Sequence, residues 1–206
     1  MVSLNYRLNV FGFLGSDLLQ NRNAGGTTGN FGIEDQRLAM AWTKANIGAF
    51  GGDGNNITIM GLSAGGSSVI NHLAQKSSFP YYSKAVILSG AYFAGANTLA
   101  VANKAFTALT TSFQDSCSGL SDIDCLLSQS AAALLMSSTK LSSWKTYGPV
   151  VDGVSLTKAP LDLIALNDYN NQVGAPPEHL MSFLSFEAMV FFSFFECLTP
   201  LSTLFR

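Results

Sequence analysis

Charge is scarce in this chain, and no run of basic residues is present. Asp, Glu, Lys and Arg make up 12% of the 206 residues, and the eleven Lys and Arg residues are scattered singly. A protein that neutralises a phosphate backbone needs clustered positive charge. We therefore expect no nucleic-acid partner.

Long apolar runs and a leader sequence are also absent. The most apolar uncharged stretch near the C-terminal end covers residues 188–195, whereas roughly 18 to 20 apolar residues are needed to span a bilayer. Met1 is not followed by a basic region, an apolar region and a small-residue cleavage site. We expect no membrane span and no secretory signal, and we expect the chain to begin inside a strand.

Hydrophobic residues, in contrast, reach 48%, which is typical of one packed globular domain. Short β-prone runs cover residues 2–6, 56–60 and 85–88, and helical patterns cover residues 34–47 and 67–75. Strands separated by helices favour an α/β fold with a mainly parallel sheet and flanking helices.

The helix predicted over residues 34–47 has an apolar stripe of Leu38, Ala41, Trp42 and Ala45, which we expect to face the core. Further helices are predicted over residues 99–113 and 161–166 and, with a Ser-rich break, over residues 123–136; an extended segment is predicted over residues 147–153.

The composition changes near Gly174. Residues 174–206 hold seven of the fifteen phenylalanines and show no clear strand alternation. We predict a domain over residues 1–173 followed by an unrelated tail over 174–206, non-native or disordered; an amphipathic terminal helix is the alternative.

The pattern Gly-x-Ser-x-Gly occurs where a predicted strand meets a predicted helix. Gly61, Gly65 and Gly66 surround Ser63, and such a strand-turn-helix junction predicts a nucleophile elbow that exposes the serine hydroxyl. Gly61 and Gly65 are expected to avoid collisions with neighbouring elements. The Ala64 amide is expected to point at the developing oxyanion. An idle serine in a glycine-rich turn is the alternative.

A longer string of residues resembles type B carboxylesterases, the cholinesterase and fungal lipase family. Besides residues 61–66, the resemblance rests on residues 5–7, 29–37, 42, 46–47, 50–53, 56–59, 87–90 and 148–153. It runs from Val2 to about Val173. The resemblance implies a partial, incomplete α/β-hydrolase fold, hydrolysis of small-molecule or lipid carboxylic esters through an acyl-enzyme, and no metal or organic cofactor.

The family uses a Ser, Glu, His triad, and Ser63 is its one member that can be carried over. The resemblance implies that the oxyanion glycine motif would precede Met1 and that the acid and histidine would follow Val173. His72 is expected to be a packed or capping histidine. Glu178 and His179 form a tempting pair, but nothing in the sequence fixes their position.

Cys117 and Cys125 resemble a disulfide loop of the secreted family members, while Cys197 is left over. Two reduced, buried cysteines are the alternative. A bridge would place the parent protein in the secretory route, although the localisation of this chain stays open.

Together these features predict a truncated carboxylesterase with Ser63 as nucleophile and with negligible activity of its own. The alternative is a non-catalytic, cholinesterase-like binding or adhesion module.

Overall fold

The structure, a computed structural model, describes residues 1–90, 95–141 and 146–171. Most of the helices predicted from the sequence are found within three residues of their predicted bounds. In chain order the described helices are α1 (Asn9–Phe13), α2 (Asp17–Arg22), α3 (Phe31–Asn46), α4 (Ala64–Ala74), α5 (Leu99–Thr111), α6 (Asp122–Ser128), α7 (Ala131–Leu141) and α8 (Pro160–Ala165), with 3₁₀ turns at Ile47–Phe50, Lys76–Tyr81 and Gln114–Ser116.

The strands form two small parallel sheets in the described part of the chain. β1 (Thr58–Leu62) pairs with β2 (Lys84–Leu88) in a register that places Thr58 beside Lys84. β3 (Asn97–Thr98) pairs with β4 (Val150–Val151). Since α4 lies between β1 and β2 along the chain, this pair is a strand-helix-strand crossover. The predicted α/β class with parallel strands and flanking helices is confirmed.

Two of the helices after residue 98 begin where side chains cap them. Thr98 accepts a hydrogen bond from the Val101 amide at the start of α5, and Ser121 does the same for Asp124 at the start of α6. The Ser-rich break predicted within residues 123–136 is found at residues 129–130, between α6 and α7. The sequence analysis did not identify α1 and α2.

Three apolar clusters form the core. Met40, Leu73 and Tyr82 pack where α3 and α4 cover β1 and β2, and Phe106 and Leu109 of α5 pack against α1 and α6. Ala74, Leu156 and Leu163 form the third cluster, which joins α4 to α8. Helix α4 contributes to two of the three clusters, so the helix that follows Ser63 is firmly held.

The apolar stripe predicted to bury α3 lies on its outer side. Leu38 is 71% exposed and Trp42 is 54% exposed, whereas the buried positions are Ile33, Gln36 and Met40. The prediction was wrong because a polar residue, Gln36, occupies the inner face and hydrogen-bonds there.

The strand predicted over residues 2–6 is also not found, since residues 1–8 contain no strand. Asp35 on α3 accepts hydrogen bonds from the Arg7 amide at 2.9 Å and from the Arg7 guanidinium. This anchor holds the segment against α3 instead of along an edge of the sheet.

Candidate active site

Ser63 lies at the bend between β1 and α4. Its backbone has φ 54° and ψ −112°, a positive-φ conformation that costs a serine on the order of 1–3 kcal/mol. The residue is exposed, and no hydrogen bond joins its hydroxyl to another residue in the described part of the chain. The strain therefore presents an unengaged hydroxyl to solvent.

Backbone contacts hold this bend from both sides. The Ser63 amide donates to the carbonyl of Leu88 at 2.8 Å, and the Ser67 amide donates to the carbonyl of Ser63 at 2.9 Å. The first contact ties the bend to β2 and the second begins α4. The predicted strand-to-helix junction is present, but the helix begins at Ala64 instead of Ser67.

The glycines around Ser63 do not share one role. A Cβ on Gly61 would overlap the carbonyl group of Gly65 and come within 2.7 Å of the Gly66 amide nitrogen. A Cβ on Gly66 would come within 2.9 Å of the Leu88 carbonyl oxygen and the Gly90 Cα. At Gly65 a Cβ would meet no described atom within 4 Å. The prediction that a side chain at position 65 would collide with neighbouring elements was therefore wrong. The two crowded positions are Gly61 and Gly66.

Ala64 is the first residue of α4, an eleven-residue helix. The first amides of an α-helix have no acceptor within the helix, and they carry the positive end of its dipole. Ala64 is exposed next to Ser63. Its position is thus suited to a developing negative charge near the serine.

A half-open cavity of about 510 Å³ adjoins Ser63 and Ala64. Its wall is largely apolar and aromatic, and it includes Tyr6, Phe13 and Ile33. Ser67 and Ser68 of α4 add hydroxyl groups. The sequence analysis did not identify the lining residues, because they come from segments far apart in the chain.

His72 lies on α4 but does not serve Ser63. Its side chain is 3% exposed, and its two ring nitrogens contact Ser78 Oγ and Gln36 Oε1, each at 2.9 Å. Burial, together with the charge of Arg37, lowers the pKa of His72 to about 3. The prediction of a packed histidine is confirmed.

Asp35 and Arg37 on α3 have different partners and do not pair with each other. Asp35 binds Arg7 at 2.7 Å, and this contact lowers the pKa of the Asp35 carboxyl. Arg37 instead donates to Ser78 Oγ at 3.0 Å and to Gln75. The reason is burial, since Arg37 points inward whereas Asp35 lies at the surface with Arg7.

A second buried network holds the segment that follows Tyr147. Asn30 Nδ2 donates to the carbonyl of Val150 at 2.8 Å, and the Val150 amide donates back to Asn30 Oδ1 at 2.9 Å. Asp152 accepts from the Ser155 hydroxyl at 2.7 Å and from the Leu156 amide at 3.0 Å. This network fixes Val150, which directly follows residues 148–149 of the cavity wall. Asn30 and Asp152 fall in two of the motifs that carried the family resemblance.

Cys117 and Cys125 form a disulfide bond, as predicted. Glu178, His179 and Cys197 lie outside the described residues, as does the tail predicted over 174–206. No group of His, Cys, Asp and Glu within the described ranges is arranged to hold a metal ion. No helix in those ranges is long and apolar enough to cross a membrane.

Comparison with known proteins agrees with this arrangement. The profile of the carboxylesterase family matches residues 1–194. The chain belongs to the carboxylesterase family. The matched range extends into residues 174–206, and the domain boundary near residue 173 stays a prediction.

Individual relatives cover between 44% and 80% of the chain. It is 36% identical over 173 residues to Crystal protein of Dictyostelium discoideum, covering 80% of this chain and 30% of the relative. It is 37% identical over 157 residues to Esterase E4 of Myzus persicae, and the match covers 73% of this chain and 27% of the relative. Acetylcholinesterase 1 of Caenorhabditis briggsae is 46% identical over 90 residues, and the match covers 44% of this chain and 14% of the relative. The chain thus spans less than a third of the length of these curated relatives.

Proposed function

We propose that this chain carries the nucleophile of a serine carboxylic ester hydrolase and that Ser63 is that nucleophile. The observation that supports this most strongly is the strained, exposed backbone of Ser63 at the junction of β1 and α4. Such strain is retained where the surrounding contacts enforce it, and it clusters at functional sites. Family membership supports hydrolysis of esters as the reaction class.

In the proposed reaction Ser63 Oγ attacks the ester carbonyl carbon, and the hydroxyl proton passes to a general base. The carbonyl oxygen becomes an oxyanion, which the Ala64 amide and the N-terminus of α4 stabilise. Collapse of the tetrahedral intermediate breaks the bond to the alcohol, which leaves with a proton. Water then hydrolyses the acyl-enzyme.

The cavity supports an apolar acyl group in the substrate. Its volume of about 510 Å³ and its apolar lining suit such a group. Tyr6 and Phe13 supply aromatic surface for it. Among carboxylic esters, we therefore propose a preference for those with an apolar acyl group.

We further propose that this chain alone turns over esters at a negligible rate. His72 is the one histidine among the described residues, and its ring nitrogens are engaged by Ser78 and Gln36. A general base must lie within hydrogen-bond reach of the nucleophile. Without a base, the hydroxyl of Ser63 stays protonated and deacylation is slow.

Steady-state hydrolysis of p-nitrophenyl butyrate tests this proposal. The chain and its Ser63→Ala variant should give equal rates close to the uncatalysed rate, since loss of a triad member removes on the order of 10⁶ in kcat. Rapid turnover that disappears in Ser63→Ala would show that a base completes the site, and the claim of negligible activity would be wrong.

The disulfide supports a second, separate proposal on localisation. Bonds of this kind form and persist in oxidising compartments. We propose that the parent protein passes through the secretory route. Detection of the parent protein only in a reducing compartment, with both cysteines as thiols, would contradict it.

The alternative of a non-catalytic binding module gains no support from the bend. A binding surface has no need of a strained serine with an unengaged hydroxyl. If a longer form of this protein bound a partner normally but lacked esterase activity, that alternative would replace the enzyme.

A further inference from the structure

Polar side chains occupy the interface where α3 meets α4 and the 3₁₀ turn Lys76–Tyr81. Gln36, His72 and Ser78 are all buried, and Gln36 is only 6% exposed. Buried polar groups are costly unless each finds a hydrogen-bond partner. The partners of these three side chains reveal an ordered chain of hydrogen bonds.

The chain of hydrogen bonds starts at Arg37, because a guanidinium group donates hydrogen bonds and cannot accept them. Arg37 Nε donates to Ser78 Oγ at 3.0 Å. The Ser78 hydroxyl is then free to donate its own proton to His72 Nδ1, which lies 2.9 Å away. This contact therefore allows Nδ1 to be the unprotonated, accepting nitrogen of the ring, and the partner of the other ring nitrogen decides it.

The other ring nitrogen faces an acceptor. His72 Nε2 lies 2.9 Å from Gln36 Oε1, and an amide oxygen only accepts hydrogen bonds. Nε2 therefore carries the proton, and His72 is the neutral Nε2–H tautomer. Its lowered pKa agrees with a neutral ring.

The chain of hydrogen bonds continues from Gln36 to Ser68 and then to Ala64, the first residue of α4. Gln36 Nε2 donates to Ser68 Oγ at 3.1 Å, and the Ser68 hydroxyl donates to the carbonyl of Ala64 at 3.1 Å. Five hydrogen bonds thus run in one direction from Arg37 to Ala64. The residue that they reach is the one next to Ser63.

We propose that Gln36 is a positioning residue that fixes Ala64 beside the nucleophile by linking neutral His72 to Ser68. Helix α4 then has two anchors at its start, because the Ser63 amide is also bound to the Leu88 carbonyl. The catalytic consequence rests on the proposed function, whereas the hydrogen-bond chain itself does not.

The groups around His72 are compatible with a neutral ring. Arg37 is the charged group that acts on it, and this cation disfavours a second positive charge nearby. The Tyr82 hydroxyl donates a hydrogen bond to the backbone carbonyl of His72 at 3.0 Å, so this bond involves the backbone of His72 and not its ring. Glu34 and Tyr81 act on Arg37.

Nuclear magnetic resonance of the ¹⁵N-labelled chain tests the proposal without any need for catalysis. A His179→Gln background leaves His72 as the one imidazole, since the chain has two histidines. Between about pH 5 and pH 8, where an ordinary histidine titrates, Nε2 should remain protonated and Nδ1 unprotonated. An Nδ1–H tautomer, or a charged ring at pH 7, would overturn the proposal.

The Gln36→Glu variant, with Gln114→Glu as its control, tests whether the chain of hydrogen bonds reaches Ala64. Gln36→Glu keeps an acceptor for His72 but removes the donor to Ser68, so the Ala64 carbonyl-carbon and amide resonances should move. Gln114→Glu, an exposed position, adds the same charge and should leave them unchanged.

Ser68→Ala is the milder variant in case Gln36→Glu does not fold. It should shift the Ala64 resonances while the His72 tautomer stays the same, and Ser118→Ala in an exposed loop is its control. Unchanged Ala64 resonances in Ser68→Ala would refute the link. If the link is present but Ser63 proves unreactive, the proposed function fails and this inference stands.

Discussion

The amide of Ser63 donates a hydrogen bond of 2.8 Å to the carbonyl of Leu88 on the neighbouring strand. One contact therefore joins the residue that bends the chain to the end of β2. Because the bond is made by the backbone, it persists in variants that alter the Ser63 side chain. Substitutions at Ser63 can thus be read as changes in chemistry and not in fold.

Replacing Gly61 by Ala should unfold or severely destabilise the protein. The new Cβ would overlap the Gly65 carbonyl group, and backbone cannot move aside as a flexible side chain can. We expect the free energy of unfolding to fall by roughly 3 kcal/mol or more, measured by urea denaturation.

Gly65→Ala is the matched control, because a Cβ there meets no described atom within 4 Å. An alanine in this helical position should be neutral or stabilise by up to about 1 kcal/mol. Equal losses of stability in the two variants would contradict the assignment of Gly61 as the crowded glycine.

Removal of the disulfide should cost a moderate amount of stability. Cys117 and Cys125 are separated by eight positions, and a loop of that size predicts a loss of roughly 2–3 kcal/mol in the double Ser variant. Thiol titration of the denatured chain should find one free thiol before reduction and three after it. Three free thiols without reduction would show that the bond does not form.

Acid should destabilise the protein through His72. Its pKa falls from an ordinary value of 6.5 to about 3 on folding, so the unfolded chain binds a proton that the folded chain does not. Stability should therefore decrease as the pH drops below about 6.5, by up to roughly 1.4 kcal/mol per pH unit, until the pH approaches 3.

The control is the His72→Gln variant, which should lack the loss of stability that protonation of His72 causes. His179 is present in both proteins, so its titration cancels in the difference between their urea denaturation curves. Parallel pH profiles for the two proteins would mean that His72 is not buried as a neutral group.

The bend at Ser63 was predictable because its signal is local. Gly61, Ser63 and Gly66 lie within six residues, and the apolar run before them and the helical pattern after them specify a strand and a helix. The crowded contacts at Gly61 and Gly66 arise within this same turn and from the adjacent residues of β2.

The orientation of α3 was not predictable, because it depends on partners far along the chain. Leu38 and Trp42 form the more apolar side of the helix, yet Gln36 faces inward. Gln36 is satisfied there by His72 and Ser68, which are more than 30 residues away. A pattern of hydrophobicity does not reveal such a polar interface, and the same holds for the cavity wall, which combines distant segments.

Acylation of Ser63 itself tests the central claim most directly. The chain is incubated with excess p-nitrophenyl acetate, and acetylated serines are mapped by peptide mass spectrometry, with Ser63→Ala and the exposed Ser118 as references. Binding and one oxyanion donor still favour reaction at the proposed site. We expect Ser63 to be acetylated at least about a hundredfold faster than Ser118, and we expect the adduct to persist. Equal labelling of Ser63 and Ser118 would contradict it.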